Sequence, residues 1–326
     1  MQGTFSAWLM KVSFPKLGLE FDIDRVAFTI FGIDIYWYAV IIVFGFSLAA
    51  IYGYFNRRKY GLTKDTLMDL LIVGTVFGVL GARLYYVIFS GGRYDSLWQV
   101  LNMRDGGLAI YGAVIGAAVS EIIACRIKKI PFLAACDVMV IGFFIGQSIG
   151  RWGNFANQEA FGRGTSLPWG MQSANTLADV PGSPVHPCFL YESIWCALGF
   201  LLLHILSKKC YKFRGQLSLV YALWYGLGRV WIEQLRTDSL YLIPGVIKIS
   251  QLLAILSLAA IPLLWMGFKN KSITIKGKTF AFAPALDIPD IEWKVLDRTE
   301  EKSLKEEISE SWGKISGFVK RIKNKK

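Results

Sequence analysis

Charged residues are scarce in this sequence, and their scarcity narrows the class of protein. Asp, Glu, Lys and Arg make up 18% of the 326 residues, whereas a soluble domain has about a quarter. Apolar residues make up 54%, and the mean hydropathy is +0.42. They are grouped in runs that are too long for the core helices of a soluble domain. The composition therefore indicates an integral membrane protein.

Residues that build metal centres and disulfide frameworks are also few. The five cysteines form no Cys-x-x-Cys pair, and most of them lie in or beside apolar runs, where small buried side chains are expected. The two histidines, His186 and His204, are too few for a histidine metal cluster. We therefore expect no metal and no other cofactor. The net charge of +12 comes from basic residues beside the spans and in the tail, so we expect no nucleic-acid partner.

Seven apolar runs are long enough to cross a membrane. A bilayer core needs about 20 residues, and only helices satisfy the backbone in lipid across such runs. The sequence thus predicts an all-α polytopic membrane protein with seven transmembrane helices. Small residues spaced four apart, such as Gly112 and Gly116, predict close helix packing. The predicted spans are Tyr36–Tyr54, Leu67–Ser90, Leu108–Cys125, Phe132–Gly150, Phe189–Leu206, Leu217–Leu235 and Val246–Met266.

Loop charge predicts the orientation of these spans. The connectors after the first, third and fifth spans, FNRRKYGLTKD, RIKKI and SKKCYKFRG, are short and basic. By the positive-inside rule, the N-terminus lies outside and the C-terminus lies in the cytoplasm. This gives an extracytoplasmic arm (1–35), a membrane core (36–268) with an extracytoplasmic loop region (151–188), and a cytoplasmic basic tail (269–326).

The arm and the tail carry weaker patterns. The arm sequence FDIDRVAFTIFGIDIYWY alternates apolar and polar residues around a glycine, which predicts a hairpin at the membrane interface. A helix in the tail would place Leu304, Ile308, Trp312, Ile315 and Val319 on one side, against an anionic leaflet. A solvated tail with partial helix fits the same residues equally well.

Charged side chains inside the spans are the strongest functional signal, because each costs about 2.5–3.5 kcal/mol on insertion scales. Four arginines lie at the outer depth of the bundle: Arg83, Arg151, Arg229 and Arg236. In the sixth span, Arg229, Glu233 and Arg236 fall within an arc of about 60°, and Tyr225 extends the same stripe.

Two interpretations of these charges are open. In the first, Glu233 neutralises Arg229 and Arg236, and the ion pairs only hold the helices together. In the second, the arginines bind an anion, because a guanidinium stays protonated and its planar fork matches phosphate oxygens. One carboxylate cannot neutralise three or four guanidiniums. The surplus of positive charge favours the second interpretation, with phospholipid phosphate as the ligand.

The stretch IGRWGNFANQEAFGRG follows the fourth apolar run. Arg151 brings a cation to the outer surface, and Gly153 is expected to allow a sharp exit from the helix. Asn154, Asn157 and Glu159 add amide and carboxylate groups that are costly in lipid but useful at a headgroup. These residues predict a polar cup for a lipid headgroup or small anion, and an ordinary loop turn is the alternative.

Six motifs resemble those of the prolipoprotein diacylglyceryl transferase family. GRWGNFANQE, Gly150 to Glu159, matches every fixed position of the signature G-R-x-G-N-F-x-N-x-E. YGLGRVWIEQLR, Tyr225 to Arg236, reproduces the spacing Y-x-x-x-R-x-x-x-E-x-x-R. The other four motifs are YWYAV with Tyr38, GARLYYV with Arg83, DGGLAIYGAVIG with Tyr111, and HPCFLYE from His186 to Glu192. The resemblance covers about residues 36 to 251.

The resemblance implies a bacterial inner-membrane enzyme. Such an enzyme transfers the diacylglyceryl group of phosphatidylglycerol to the lipobox cysteine thiol of a preprolipoprotein, which forms a thioether and releases glycerol-1-phosphate. This is the first step of lipoprotein maturation. A transporter or flippase for anionic phospholipid is the alternative from another class. It would carry charges on toward the cytoplasmic half of the spans, for which Asp137 is the candidate residue.

The expected roles combine the resemblance with the charges. Arg151 and Arg229 clamp the phosphate, Glu233 orients the arginines, and Arg83 and Arg236 assist or gate. Tyr111 and Tyr38 are expected to form hydrogen bonds to the headgroup or the thiol. The expected catalytic residues are Arg151, Arg229, Tyr111 and Glu233. The expected substrate-binding residues are Arg151, Asn154, Asn157, Glu159, Arg83, Arg236, Tyr38 and Tyr225.

Two positions depart from the family pattern. Tyr111 stands where several members have histidine, and a phenol with a free pKa near 10 is a poor general base. Phe189 replaces a glutamine and so removes a hydrogen-bonding side chain. His186, the one histidine in the predicted outer region, is expected to be structural.

Overall fold

The computed structural model describes residues 11–90, 96–102, 106–237, 241–243, 247–248, 255–275 and 278–285. The fold is mostly helical. Five described helices are long and apolar enough to cross a membrane, by length and composition: Trp37–Tyr60, Lys64–Phe89, Ile110–Ile127, Phe132–Asn157 and Cys188–Lys209. They coincide with the first five predicted spans. The polytopic, predominantly helical fold is therefore confirmed, whereas the side on which each terminus lies stays a prediction.

Helices and short strands are numbered in chain order. The helices are α1 (Trp37–Asn56), α2 (Lys64–Phe89), α3 (Leu97–Leu101), α4 (Ile110–Ile127), α5 (Phe132–Asn157), α6 (Ala174–Asp179), α7 (Cys188–Lys209), α8 (Gln216–Leu235) and α9 (Ala260–Phe268). The strands are β1 (Lys11–Phe14), β2 (Leu19–Asp22), β3 (Val26–Ile30), β4 (Ile33–Tyr36), β5 (Gln172–Ser173), β6 (Tyr241–Ile243), β7 (Ile247–Lys248), β8 (Ile273–Ile275) and β9 (Lys278–Phe280).

The last two predicted spans differ from the expectation. Helix α8 has 20 residues, but it is more polar than the five helices above because it carries Arg229 and Glu233. The seventh predicted span, Val246–Met266, is wrong at its start. Ile247–Lys248 is strand β7, which pairs with β6, and the described apolar helical stretch, which includes α9, is Ile255–Phe268. The Pro-Gly dipeptide between the two strand sequences is a turn signal that hydropathy alone overlooks.

The predicted hairpin of the arm is confirmed. Strands β3 and β4 pair antiparallel with Ile30 opposite Ile33, and the turn residues Phe31 and Gly32 have φ of 50° and 77°. A second, unpredicted sheet has the strand order β2-β1-β5 and joins the arm to the loop region. Its core also receives Phe189, which is 1% exposed and stacks on Phe155 with a centroid distance of 5.0 Å. Phe189 is thus a packing residue.

Within the described residues, the chain forms two compact units, one of residues 11–55 with 133–285 and the other of residues 56–132. In the first unit, pairs of reciprocal hydrogen bonds tie the helices together. Ser148 and Ser193 each donate a hydroxyl to the other's carbonyl, at 2.9 and 2.8 Å, and join α5 to α7. Trp195 and Trp224 do the same through their indole nitrogens, at 3.0 Å each, and join α7 to α8. These contacts hold α5, α7 and α8 together, and these helices carry Arg151, Glu192 and Arg229 respectively.

Helix α5 continues past the predicted end of the fourth span. It runs through Gly153 to Asn157, so the predicted exit at Gly153 is wrong. The reason for the glycine is close packing, since a Cβ at Gly153 would lie 2.6 Å from the Tyr38 ring of α1. The same two helices approach where Gly142 faces Ala49.

In the second unit, α2 and α4 pack through glycines. A Cβ at Gly112 would collide with the carbonyl oxygen of Gly81, and one at Gly116 with that of Phe77. This confirms the close packing predicted from the small residues spaced four apart. The predicted tail helix lies outside the described residues, as do the first ten residues of the arm.

Candidate functional site

Glu192 is the centre of the charged site. It lies on α7 with its side chain 5% exposed, and it receives ion pairs from three arginines. Arg151 of α5 reaches Oε2 at 2.5 Å, while Arg229 of α8 and Arg236 at the end of α8 each donate to Oε1 at 3.0 Å. Three of the four predicted arginines therefore meet on one carboxylate that the sequence interpretation did not single out.

Glu233 pairs with one of these arginines. Its Oε2 lies 2.5 Å from Nη2 of Arg229, one helical turn away on α8. The three guanidiniums of the cluster thus face two carboxylates. The arginine side chains are 13–24% exposed, whereas those of Glu192 and Glu233 are 4–5% exposed. The two carboxylates are thus more buried than the three guanidiniums. The positive charge that the carboxylates do not neutralise lies on the more exposed guanidiniums.

The polar residues of the signature continue from this cluster. Arg151 donates to Oδ1 of Asn154 at 3.3 Å. The amide nitrogens of Asn154 and Asn157 donate to Oε1 of Glu159, at 2.8 and 3.3 Å. The structure therefore connects the predicted residues Asn154, Asn157 and Glu159 to Arg151 through one hydrogen-bonded chain.

A cavity of about 460 Å³ lies at the end of this chain. It is lined by Arg25, Tyr36, Tyr38, Ala39, Asn157, Glu159 and Asn175. Arg25 donates to the carbonyl of Asn157 at 3.2 Å, and Asn175 donates to that of Gln158 at 3.1 Å. These two side chains satisfy carbonyls that the end of helix α5 leaves without an intrahelical partner. Gln158 itself has φ of 55°, in the left-handed region that ends a helix.

Tyr225 lies on the same unit as the arginine cluster. Its ring is parallel to that of Tyr221, with a centroid distance of 5.8 Å. Tyr221 in turn accepts a hydrogen bond from the amide of Gln147 on α5 at 2.8 Å. The predicted stripe of tyrosines on α8 is therefore packed against α5, one turn before Arg229.

Arg83 and Tyr111 belong to the second unit. Arg83 is 7% exposed and donates to the carbonyls of Gln99, Val100, Gly106 and Gly107 at 2.7–3.1 Å. Its guanidinium thus binds the backbone of the segment between α2 and α4. Tyr111, on the first turn of α4, is 39% exposed, and its ring centroid lies 6.3 Å from that of Tyr85.

His186 takes part in an aromatic network of the loop region. Its Nδ1 lies 3.1 Å from the hydroxyl of Tyr191, which accepts a hydrogen bond from the indole of Trp169 at 2.8 Å. Burial, and next the charge of Arg163, lower the pKa of His186. His186, Tyr191 and Trp169 therefore form one hydrogen-bonded aromatic group in the loop region.

Several site residues were missed from the sequence. Glu192 lies in an apolar run and its partners come from distant positions, although the HPCFLYE motif contains it. Arg25 and Asn175 have no local signal of a shared pocket.

A Gly-x-Ser-x-Gly pattern, which is typical of serine hydrolases, also occurs at Gly146 to Gly150. Its Ser148 lies inside a helix and bonds to α7, unlike a nucleophile on a strand-to-helix turn.

The fold and the site together define a class: a polytopic helical membrane protein with a partly exposed guanidinium cluster over buried carboxylates. The family described as Prolipoprotein diacylglyceryl transferase matches residues 25–266. The phosphatidylglycerol–prolipoprotein diacylglyceryl transferase of Finegoldia magna is 40% identical over 251 residues, which cover 77% of this chain and 98% of that protein.

Relatives with the same name occur in other bacteria. The one from Clostridioides difficile is 39% identical over 252 residues, 76% of this chain and 98% of its own length. The one from Thermotoga maritima is 41% identical over 245 residues, 72% of this chain and 81% of its own length. The chain belongs to the prolipoprotein diacylglyceryl transferase family.

Proposed function

We propose that the protein transfers the diacylglyceryl group of phosphatidylglycerol to the lipobox cysteine thiol of a preprolipoprotein signal peptide. The reaction is the first step of lipoprotein maturation at the bacterial cytoplasmic membrane. The names of the relatives support the substrates, and the convergence of Arg151, Arg229 and Arg236 on Glu192 is the observation that carries the proposal. We retain the expected orientation, with seven spans and the N-terminus outside.

The proposed chemistry is attack of the thiolate sulfur on the glyceryl carbon that bears the phosphate ester. A C–S bond forms, the C–O bond breaks, and the electron pair leaves with glycerol-1-phosphate. The thiol proton passes to the departing phosphate or to solvent. The phosphate gains a second negative charge as the C–O bond breaks. Arg151 and Arg229, which are already fixed by carboxylates, stabilise that charge without reorganising.

The remaining assignments divide by unit. Arg236 and Glu233 support the clamp, and Asn154, Asn157, Glu159, Tyr38 and Tyr225 surround the headgroup. Tyr111 keeps its expected role as a hydrogen-bonding group for headgroup or thiol. For Arg83, four carbonyl contacts favour ordering of the segment before α4 over direct phosphate binding.

The alternative of a flippase finds less support. Among the charges it would use in the cytoplasmic half, Glu121 is 8% exposed and Asp137 is 0% exposed. The carboxylate of Asp137 accepts hydrogen bonds from Tyr211, from the backbone of Gly215, and from both the backbone and hydroxyl of Ser218, at 2.6–2.9 Å. Asp137 is therefore engaged in holding the start of α8.

The test is turnover by purified protein in detergent with phosphatidylglycerol and a lipobox peptide. We expect the thioether-linked peptide and glycerol phosphate in equal amounts. Arg151→Ala and Arg229→Ala are expected to lower kcat about 100-fold or more, as for other removed charge-stabilising donors. Arg126→Ala, an exposed arginine of α4, is the matched control and keeps full turnover. Near-normal turnover by both clamp variants would refute the phosphate clamp.

A further inference from the structure

The cavity next to Glu159 has a chemical character that differs from that of the arginine cluster. Its lining holds one guanidinium, one carboxylate, two phenols and two amides. The carboxylate of Glu159 disfavours an anion in the cavity, and six of its seven lining residues carry a hydrogen-bonding side chain. Paired donors and acceptors without a surplus charge are suited to a neutral molecule with several hydroxyl groups.

The position of the cavity limits what that molecule can be. Asn154 binds Arg151 through its oxygen and Glu159 through its nitrogen. A single amide therefore separates the proposed phosphate clamp from the wall of the cavity. A group attached to a phosphate held at Arg151 is within reach of the cavity. In phosphatidylglycerol that group is the headgroup glycerol, with two free hydroxyls.

Arg25 and Asn175 are the two lining residues that lie outside all six family motifs. Arg25 precedes β3, and Asp24 fixes the turn there by accepting a hydrogen bond from the backbone of Val26 at 2.9 Å. Asn175 lies on α6, whose start is fixed by reciprocal hydrogen bonds between Ser173 and Thr176. Both side chains also bind carbonyls at the end of α5, so their positions are set independently of any ligand.

We propose that this cavity binds the free glycerol of the donor headgroup, with Arg25 and Asn175 as specificity-determining residues. The proposal rests on the proposed function, and it identifies which part of the donor lipid lies beyond the clamp. It requires that the enzyme selects its donor by the two hydroxyls, in addition to the phosphate and the acyl chains.

The experiment compares three diacyl phosphodiesters of equal charge and acyl composition. They are phosphatidylglycerol, phosphatidyl-1,3-propanediol, which lacks one hydroxyl, and phosphatidylpropanol, which lacks both. We expect kcat/KM of the unmodified protein to fall about 3- to 10-fold for each hydroxyl removed, the range for one net hydrogen bond. Asn175→Ala and Arg25→Gln are expected to lower turnover of phosphatidylglycerol selectively. The ratio of kcat/KM for phosphatidylglycerol to kcat/KM for phosphatidylpropanol should therefore fall toward one.

The control variant is Asp179→Ala, an exposed position on the same helix α6, which keeps both the rate and the preference. Equal turnover of all three lipids by the unmodified protein would overturn the inference. So would a uniform loss for all three lipids in the Asn175 and Arg25 variants, which would show that they only hold the end of α5. No thioether product from any lipid would defeat the proposed function, and this inference with it.

Discussion

At the scale of single residues, Glu192 determines how the arginines are arranged. Its carboxylate on α7 contacts the guanidiniums of Arg151 on α5, Arg229 on α8 and Arg236, which directly follows α8. Without it, three like charges would repel one another at a partly buried position. Glu192 therefore stabilises the protein and sets the geometry of the clamp, while leaving a surplus of positive charge for a ligand.

Glu192→Gln is expected to lower the free energy of unfolding by about 3 kcal/mol, because it removes the shared charge partner of three partly buried guanidiniums. Thermal unfolding in detergent measures the loss. Added inorganic phosphate should raise the unfolding temperature of the variant more than that of the unmodified protein, since an anion replaces the missing charge.

The control for this variant is Glu20→Gln. Glu20 forms an exposed ion pair with Lys11, and exposed pairs contribute little to stability. If Glu192→Gln unfolds at the temperature of the unmodified protein and phosphate shifts both alike, the account of Glu192 is wrong.

At the scale of elements, the end of helix α5 shows what sequence patterns predict and what they omit. The apolar runs located α1, α2, α4, α5 and α7, because a membrane span needs its own apolar surface. The continuation of α5 to Asn157 was not predicted, because glycine has low helix propensity and Gly153 was interpreted as an exit. A tertiary contact with Tyr38 decides that position. The pairing of β5 with β1 escaped prediction because β5 (Gln172–Ser173) lies far from β1 (Lys11–Phe14) in sequence.

Gly153→Ala tests this explanation of α5. Alanine is the better helix former by about 1 kcal/mol, but its Cβ would lie 2.6 Å from the Tyr38 ring. We expect a lower unfolding temperature and displacement of Tyr38 from the cavity wall. The matched control is Gly146→Ala on the same helix, where no atom lies within 4 Å of the new Cβ and stability should rise. Stabilisation by both substitutions would contradict the packing role of Gly153.

The loop region before α7 should be sensitive to acid through His186. The folded-state pKa of His186 is lowered by burial and by Arg163, whereas the unfolded chain titrates near its usual 6.5. Below pH 6.5 the unfolded state therefore binds a proton that the folded state does not. The free energy of unfolding therefore decreases as the pH falls below 6.5, and it levels off below the folded-state pKa.

Thermal unfolding at pH 7 and pH 5 measures this effect. We expect His186→Asn to show a smaller loss of unfolding temperature between the two pH values than the unmodified protein. An equal or larger loss in the variant would remove His186 as the acid-sensitive group.

At the scale of the whole molecule, the main prediction is the orientation of the spans in the membrane. Hydropathy and loop charge predict both the spans and their direction, but the described helices establish only length and composition. The charged site was predicted in part. The sequence predicts that Arg229 and Arg236 of the α8 stripe lie near Arg151 of the signature. It does not predict their shared carboxylate, Glu192, because that contact depends on how α5, α7 and α8 pack.

Cys210 offers a direct test of orientation. It is an exposed cysteine in the basic connector after α7, which the positive-inside rule places in the cytoplasm. A membrane-impermeant maleimide should label it in inverted vesicles and leave it unlabelled in right-side-out vesicles. Cys210→Ser identifies any label on the other cysteines. Labelling of Cys210 from the outer side would reverse the proposed topology.

The central claim is that Arg151 and Arg229 hold one lipid phosphate above Glu192. An experimental structure in lipid with bound phosphatidylglycerol measures this directly. The account predicts phosphate oxygens within hydrogen-bonding distance of both guanidiniums, with the headgroup glycerol extending toward Glu159. A phosphate bound elsewhere, with both arginines still contacting only carboxylates and amides of the protein, would contradict it.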